Sequence, residues 1–232
     1  MWGRIGRWLL VLGLFAQPCA PAGLAQQPHA TAETGLSVID RLLLAERVSH
    51  YARAVQDPSA MLLAARILNG IEVRKTDFGG VVTGGEPTNP ASLGPDPLPS
   101  IDVYLSEAKR MAGGNAALRA EIAAFEAGRK KGVLESDLAK GPLSHARLLG
   151  ADQSWAIDVV VEGGKSAIIA AIGDGDADVN IVVFDTSRRL IAQDSAPDYQ
   201  AVVRWTPAVS GRYRVEIRNA GLVGTYLVVL SS

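Results

Sequence analysis

"RYRVEIR", residues 212–218, alternates without a break: Tyr213, Val215 and Ile217 fall on one side of an extended chain, Arg212, Arg214, Glu216 and Arg218 on the other. Successive side chains of a strand lie on opposite faces, so this is a strand with one buried and one wet side. "WAIDVVVE", 155–162, repeats the pattern, with Trp155, Ile157, Val159 and Val161 facing one way and Asp158 and Glu162 the other. Trp155 and Trp205 are each in phase with the apolar face of their strand, which makes them core anchors. "SAIIAAI" (166–172) and "VNIVVF" (179–184) are apolar on both faces, as central strands are. Turn residues separate the runs at Gly163-Gly164, 173–178, Thr186-Ser187, Ala196-Pro197, Ser210-Gly211 and Gly221. About eight short strands at such spacing predict an antiparallel, jelly-roll-like β-sandwich over 141–232. A parallel sheet would need helical crossovers, for which there is no room.

Upstream of residue 141 the period changes. Leu44, Val48, Tyr51 and Val55 step by four, three and four, lining one face of a helix. Asp57 can cap the next helix and Pro58 suits its first position, where a missing N–H is harmless. Leu63, Ile67 and Ile71, broadened by Ala64 and Leu68, stripe that helix. Residues 76–100, rich in Gly and Pro, read as a long loop. Ser100 and Asn115 are candidate caps for a third and a fourth helix, the fourth carrying Leu118, Ile122 and Phe125 and closing on Arg129, Lys130 and Lys131, which oppose its negative end. The fold class is therefore α+β in two parts: a small helical bundle at 33–135, then the sandwich.

The chain opens with a basic start at Arg4 and Arg7, an apolar stretch from Trp8 to Ala16 and small residues at Gly23 and Ala25. This is the layout of an export signal over residues 1–25. The stretch is too short to span a bilayer comfortably, so no stable membrane span is expected after cleavage. Cleavage near Ala25 would remove Cys19, the one cysteine, leaving stability to packed apolar surface. The expected location is the periplasm or the exterior. A net charge of −1, with neither half carrying an excess, gives no field that would favour nucleic acid.

"GGKSAIIAAIGDGDADVNIVVFD", "LIAQD", "VVRWTPAVSGRYRVEIRN" and the closing "GTYLVVL" resemble the bacterial pre-peptidase C-terminal domain. The resemblance covers roughly residues 141–232. It implies an extracytoplasmic, non-catalytic β-sandwich, of which some relatives bind calcium or polymeric substrates. Val179 and Asn180 stand where many relatives carry a leucine and a second aspartate, a departure that bears on an acidic site rather than on the fold.

Asp174, Asp176 and Asp178 occupy alternate positions in "GDGDADVN". Calcium takes six to eight oxygen ligands, so these carboxylates are the candidate metal ligands, with the Asn180 amide as a further oxygen. An EF-hand is excluded: Val179 replaces the required glycine, and residues 179–184 read as a strand. The competing reading is a turn whose Asp and Gly residues supply local geometry. Arg212, Arg214 and Arg218 project from the wet side of one strand and are the candidate partner contacts, able to grip carboxylates. Catalysis has no announcing motif; His29, His50 and His145 are the only histidines. The expected function is a non-catalytic accessory protein that binds a protein or polymer and requires no cofactor. A calcium-dependent binding module, and an enzyme with a cleft between the two parts, are the alternatives.

Overall fold

The computed structural model describes residues 35–85, 98–129 and 141–232. The export segment, Cys19, His29, Lys130 and Lys131 lie outside the described residues. From Gly35 to Ser232 the chain forms one compact unit. No helix among the described residues is long and apolar enough to cross a membrane.

Four helices come first: α1 Val38–Val55, α2 Pro58–Leu68, α3 Ile101–Ala112 and α4 Ala116–Gly128. Helix α1 begins with a capping box, the Ser37 hydroxyl and the Asp40 carboxylate each satisfying the other's backbone N–H. Asp57 caps α2 through the Ser59 and Ala60 amides, and Asn115 caps α4 through Leu118. Ser100 stands at the start of α3 but makes no side-chain capping bond.

The apolar stripe Leu44–Val48–Tyr51–Val55 is not the buried face of α1. Leu44, Tyr51 and Val55 are 40%, 59% and 52% exposed. The buried set is Ile39, Leu42, Leu43, Ala45, Glu46, Ser49 and Ala52. Leu42, Ala45, Ser49 and Ala52 also step by three, four and three, and their small members let a second helix and a sheet approach closely. Likewise α2 buries Met61, Leu62, Ala64, Ala65 and Leu68, while Leu63 faces water.

Ten strands follow or interleave: β1 Arg74–Lys75, β2 Val81–Thr83, β3 Leu143–Leu149, β4 Ser154–Val161, β5 Ala167–Ile172, β6 Val179–Phe184, β7 Leu190–Asp194, β8 Gln200–Trp205, β9 Gly211–Asn219 and β10 Thr225–Ser231. They form two sheets, ordered β1-β3-β10-β5-β8 and β2-β4-β9-β6-β7. Strands β3 to β10 carry the double Greek-key order of a jelly roll. The expected loop at 76–100 is corrected in part, because Val81–Thr83 pair antiparallel with β4. Gly80 permits this approach, since a Cβ there would lie 2.2 Å from the Ala156 carbonyl, and Gly79 accepts the Trp155 indole N–H at 2.8 Å.

Helices and sandwich share apolar surface. Ile168, Ala170, Ile172, Val228 and Leu230 pack with the helices, whereas Ile169, Ala171, Leu227 and Val229 face the second sheet together with Trp155, Ile157, Val215 and Ile217. The result is three layers, helix on sheet on sheet. That layering is why β5 is apolar on both faces: the helices cover the side that water would otherwise reach. The expected two parts thus meet through a common core, not across an open cleft.

Candidate functional site

The acidic turn between β5 and β6 divides its three aspartates among different tasks. Asp174 accepts from the Thr225 hydroxyl at 2.7 Å and from the Tyr226 N–H at 3.1 Å, tying the turn to β10. Asp176 is exposed; loss of water around its carboxyl, then the hydrogen bond and charge of Asp174, push it above the usual carboxylate range. Asp178 accepts the Ala220 N–H through its main chain, while its Oδ1 and that of Asn180 are buried without a partner. Among the described residues no three His, Cys, Asp or Glu side chains are placed to hold a metal ion. Both Asp174 oxygens already accept hydrogen bonds within the protein, which lowers what they offer a calcium ion. Thermal melts in about 1 mM calcium and in chelator are expected to share one midpoint, because a site of ~10 μM affinity would stabilise the fold by about 2.7 kcal/mol. A clear rise with calcium would restore the metal reading.

What the turn does meet is helix α1. Gly175, at φ +105°, lies against His50, whose Cε1 would sit 3.2 Å from an added Cβ. The His50 ring stacks on Tyr199 at 4.6 Å and its Nε2 is 3.1 Å from Glu46. Glu46 is only 6% exposed. It accepts from the Tyr199 hydroxyl at 2.7 Å and from the Gln200 amide at 2.8 Å. Burial pushes its carboxyl up, against the lowering influence of Tyr199, His50 and Arg53. Arg47 donates to Gln200 at 2.8 Å and lies 3.5 Å from Asp198, and Asp40 pairs with Arg204. These residues fasten α1 along β8. Sequence pattern does not mark Glu46, because a lone glutamate in a helix reads as solvated.

The wet face of the second sheet holds the expected arginines. A groove of about 510 Å³ is lined by Asp158 of β4, Phe184 of β6, Asp185, Thr186 and Arg188 of the following turn, and Arg212, Arg214 and Glu216 of β9. Arg212 and Arg214 are therefore brought together in it, while Arg218 is outside, bonded to Asp152 at 3.0 Å. Phe184 and Arg188 join the set unannounced by the sequence. Phe184, Arg214 and Asp158 are register partners in one row across β6, β9 and β4. The Asp158–Arg212 separation is 3.6 Å, and Arg214 donates to Glu216 at 3.2 Å. Asp185 is spent on its own turn: the Arg189 backbone N–H, then the Arg189 side chain and the Ser187 N–H, hold its carboxyl below the ordinary range.

A second recess, of about 480 Å³, lies at Lys75, Asp77, His145 and Tyr226. His145 Nδ1 is 2.9 Å from the Thr76 carbonyl and the ring packs near Trp155, a placement that serves the junction of β1 with β3. His50 and His145 are thus on different elements with separate partners.

No protein-family model matches the chain, and no curated protein does. Solved structures similar to part of it include the pre-peptidase C-terminal domain of a collagenase from Bacillus anthracis, the family that residues 141–232 resemble. It is 12% identical, covering 38% of this chain and 87% of that one, with a TM-score of 0.32. PliG of Aeromonas hydrophila, a periplasmic inhibitor of g-type lysozyme, is 16% identical over 41% of this chain and 91% of its own (TM-score 0.31). A carbohydrate-binding module of Cellvibrio mixtus lichenase 5A, solved with cellotriose, is 8% identical over 40% and 87% (TM-score 0.26).

Proposed function

We propose that this is a non-catalytic, exported accessory protein that binds a protein or polymer partner through the outer face of its second sheet. The observation that carries the reading is the groove itself. Arg212 and Arg214 stand 67% and 51% exposed there, held only by loose or neighbouring carboxylates, and a half-buried phenylalanine lines it. Its volume lies within the range of about 300–1,000 Å³ in which small ligands and polymer segments are bound. The rest of the molecule supports it as a scaffold, since function placed on a rigid sheet is held in position by the core beneath. Export rests on the N-terminal sequence alone.

Immobilised envelope proteins and envelope polymers, incubated with the full chain and with the triple variant Arg188→Ser, Arg212→Ser, Arg214→Ser, test this. The wild type is expected to be retained, and the variant to lose about tenfold in affinity or more at an unchanged melting midpoint. Equal retention of both would remove the groove from the binding face.

A further inference from the structure

We propose that the groove takes an acid sugar, a pyranose carrying a carboxylate within a uronate-containing glycan; this rests on the reading above that the groove is the binding face. Three kinds of group meet there, and the combination selects the ligand. The first is spare guanidinium. Asp185 is already saturated within its turn, Arg188 makes no ion pair among the described residues, and the Arg212–Asp158 contact of 3.6 Å is too long for a hydrogen bond. Two arginine forks therefore keep donors free, and their planar geometry matches a carboxylate. The second is acceptor. Asp158 and Glu216 reach the same groove with exposed carboxylates, and only one Glu216 oxygen is engaged, by Arg214. Hydroxyl groups can donate to them. The third is an apolar plane, the Phe184 ring, in the same cross-strand row as Arg214 and Asp158.

A uronate residue offers the complement of all three on one ring: a carboxylate, several hydroxyls and a C–H face. An acidic peptide answers only the arginines and brings neither hydroxyl donors for Asp158 and Glu216 nor a C–H face for the Phe184 ring. A neutral glycan answers only the ring and the acceptors and leaves the guanidinium groups without their match.

Calorimetric titration of the full chain with trimers of galacturonate, of mannuronate and of glucuronate tests the inference. The methyl esters of the same trimers and hexa-aspartate serve as comparators. At least one uronate trimer is expected to bind, more weakly as salt rises. Its methyl ester is expected to be about tenfold weaker or worse, and hexa-aspartate to give no saturable heat. Phe184→Ala and the double variant Arg188→Ser, Arg212→Ser are each expected to lower uronate affinity about tenfold, with circular dichroism unchanged. Equal binding of ester and acid, equal or tighter binding of hexa-aspartate, or silence of every uronate overturns the acid-sugar assignment. If the uronates are silent while retention on envelope material still depends on the three arginines, the assignment falls and the binding face stands. If that dependence is missing too, both fall.

Discussion

Glu46→Ala is expected to lower the stability of the folded unit by about 3 kcal/mol, because it strands the buried Gln200 amide and the half-buried Tyr199 hydroxyl. The Tyr199 hydroxyl and the Gln200 amide both end on Glu46 Oε2, and His50 approaches Oε1. Alanine would leave them facing a gap between α1 and β8. For a unit of this size such a loss corresponds to a fall of roughly 6–12 °C in melting midpoint. A fall under about 2 °C would mean that the polar contacts at this junction contribute little and that the apolar core alone joins helices to sandwich.

The same residue gives a pH signature. The Glu46 carboxyl binds its proton more tightly in the folded chain than in the unfolded one, chiefly through burial. Its favourable contribution is therefore complete below the ordinary value of 4.5 and is lost as pH rises through the folded pKa. Glu46→Gln keeps an acceptor oxygen but has no proton to lose. The stability of wild type relative to this variant is expected to decline as pH is raised from 4 towards neutrality, read by denaturant unfolding at a series of pH values (about 4 to 7). A difference independent of pH would show that Glu46 titrates as it does in the unfolded chain.

This junction also marks where sequence reasoning stops. Strands such as β4 and β9 are legible because each has one apolar face whose period of two survives any rearrangement of its neighbours. Trp155 and the 212–218 strand leave little choice about which side is buried. Helix α1 was legible as a helix but not in its orientation. Leu44–Val48–Tyr51–Val55 and Leu42–Ala45–Ser49–Ala52 are rival stripes of the same period, and only the partners choose between them. The chosen stripe contains Ala45, Ser49 and Ala52 because α1 lies between α2 and a sheet. It admits Glu46 because β8 brings Tyr199 and Gln200 to meet it. Of the groove, Arg212 and Arg214 could be read from alternation alone. Phe184 and Arg188 could not, since they reach the same place through the pairing of β6 with β9 and through a turn. The aspartates fall between β5 and β6, where alternation places them, but which atom each one holds depends on β10 and α1, elements distant in the chain.

Asn219→Ala is expected to destabilise the sandwich by a further amount of the same order, about 3 kcal/mol, by unfastening one end of the jelly roll. Asn219 is fully buried at the end of β9. Its amide donates to the carbonyls of Leu149, Gly150 and Val223 at 3.2, 3.0 and 2.7 Å, and its Oδ1 accepts from Gly221 at 2.9 Å. One side chain thus holds the turn after β3 against the turn before β10. That second turn passes the support on: Ala220 donates to the Asp178 carbonyl at 2.7 Å, and Gly221 lies so near Ala177 that an added Cβ would stand 2.9 Å from its Cβ. Alanine removes the four bonds that this side chain makes and leaves the Gly150 carbonyl only the Gln153 N–H at 3.1 Å. Asn219→Asp is worse, since it replaces donors by a carboxylate pointed at three carbonyl oxygens, and is expected to cost more than the alanine variant. Hydrogen exchange should localise the damage to residues 150–153, 173–178 and 220–224, with the groove strands β4 and β9 protected at their other ends. Loss of less than about 1 kcal/mol, or faster exchange spread evenly over both sheets, would show that the turns are held by packing and not by this amide.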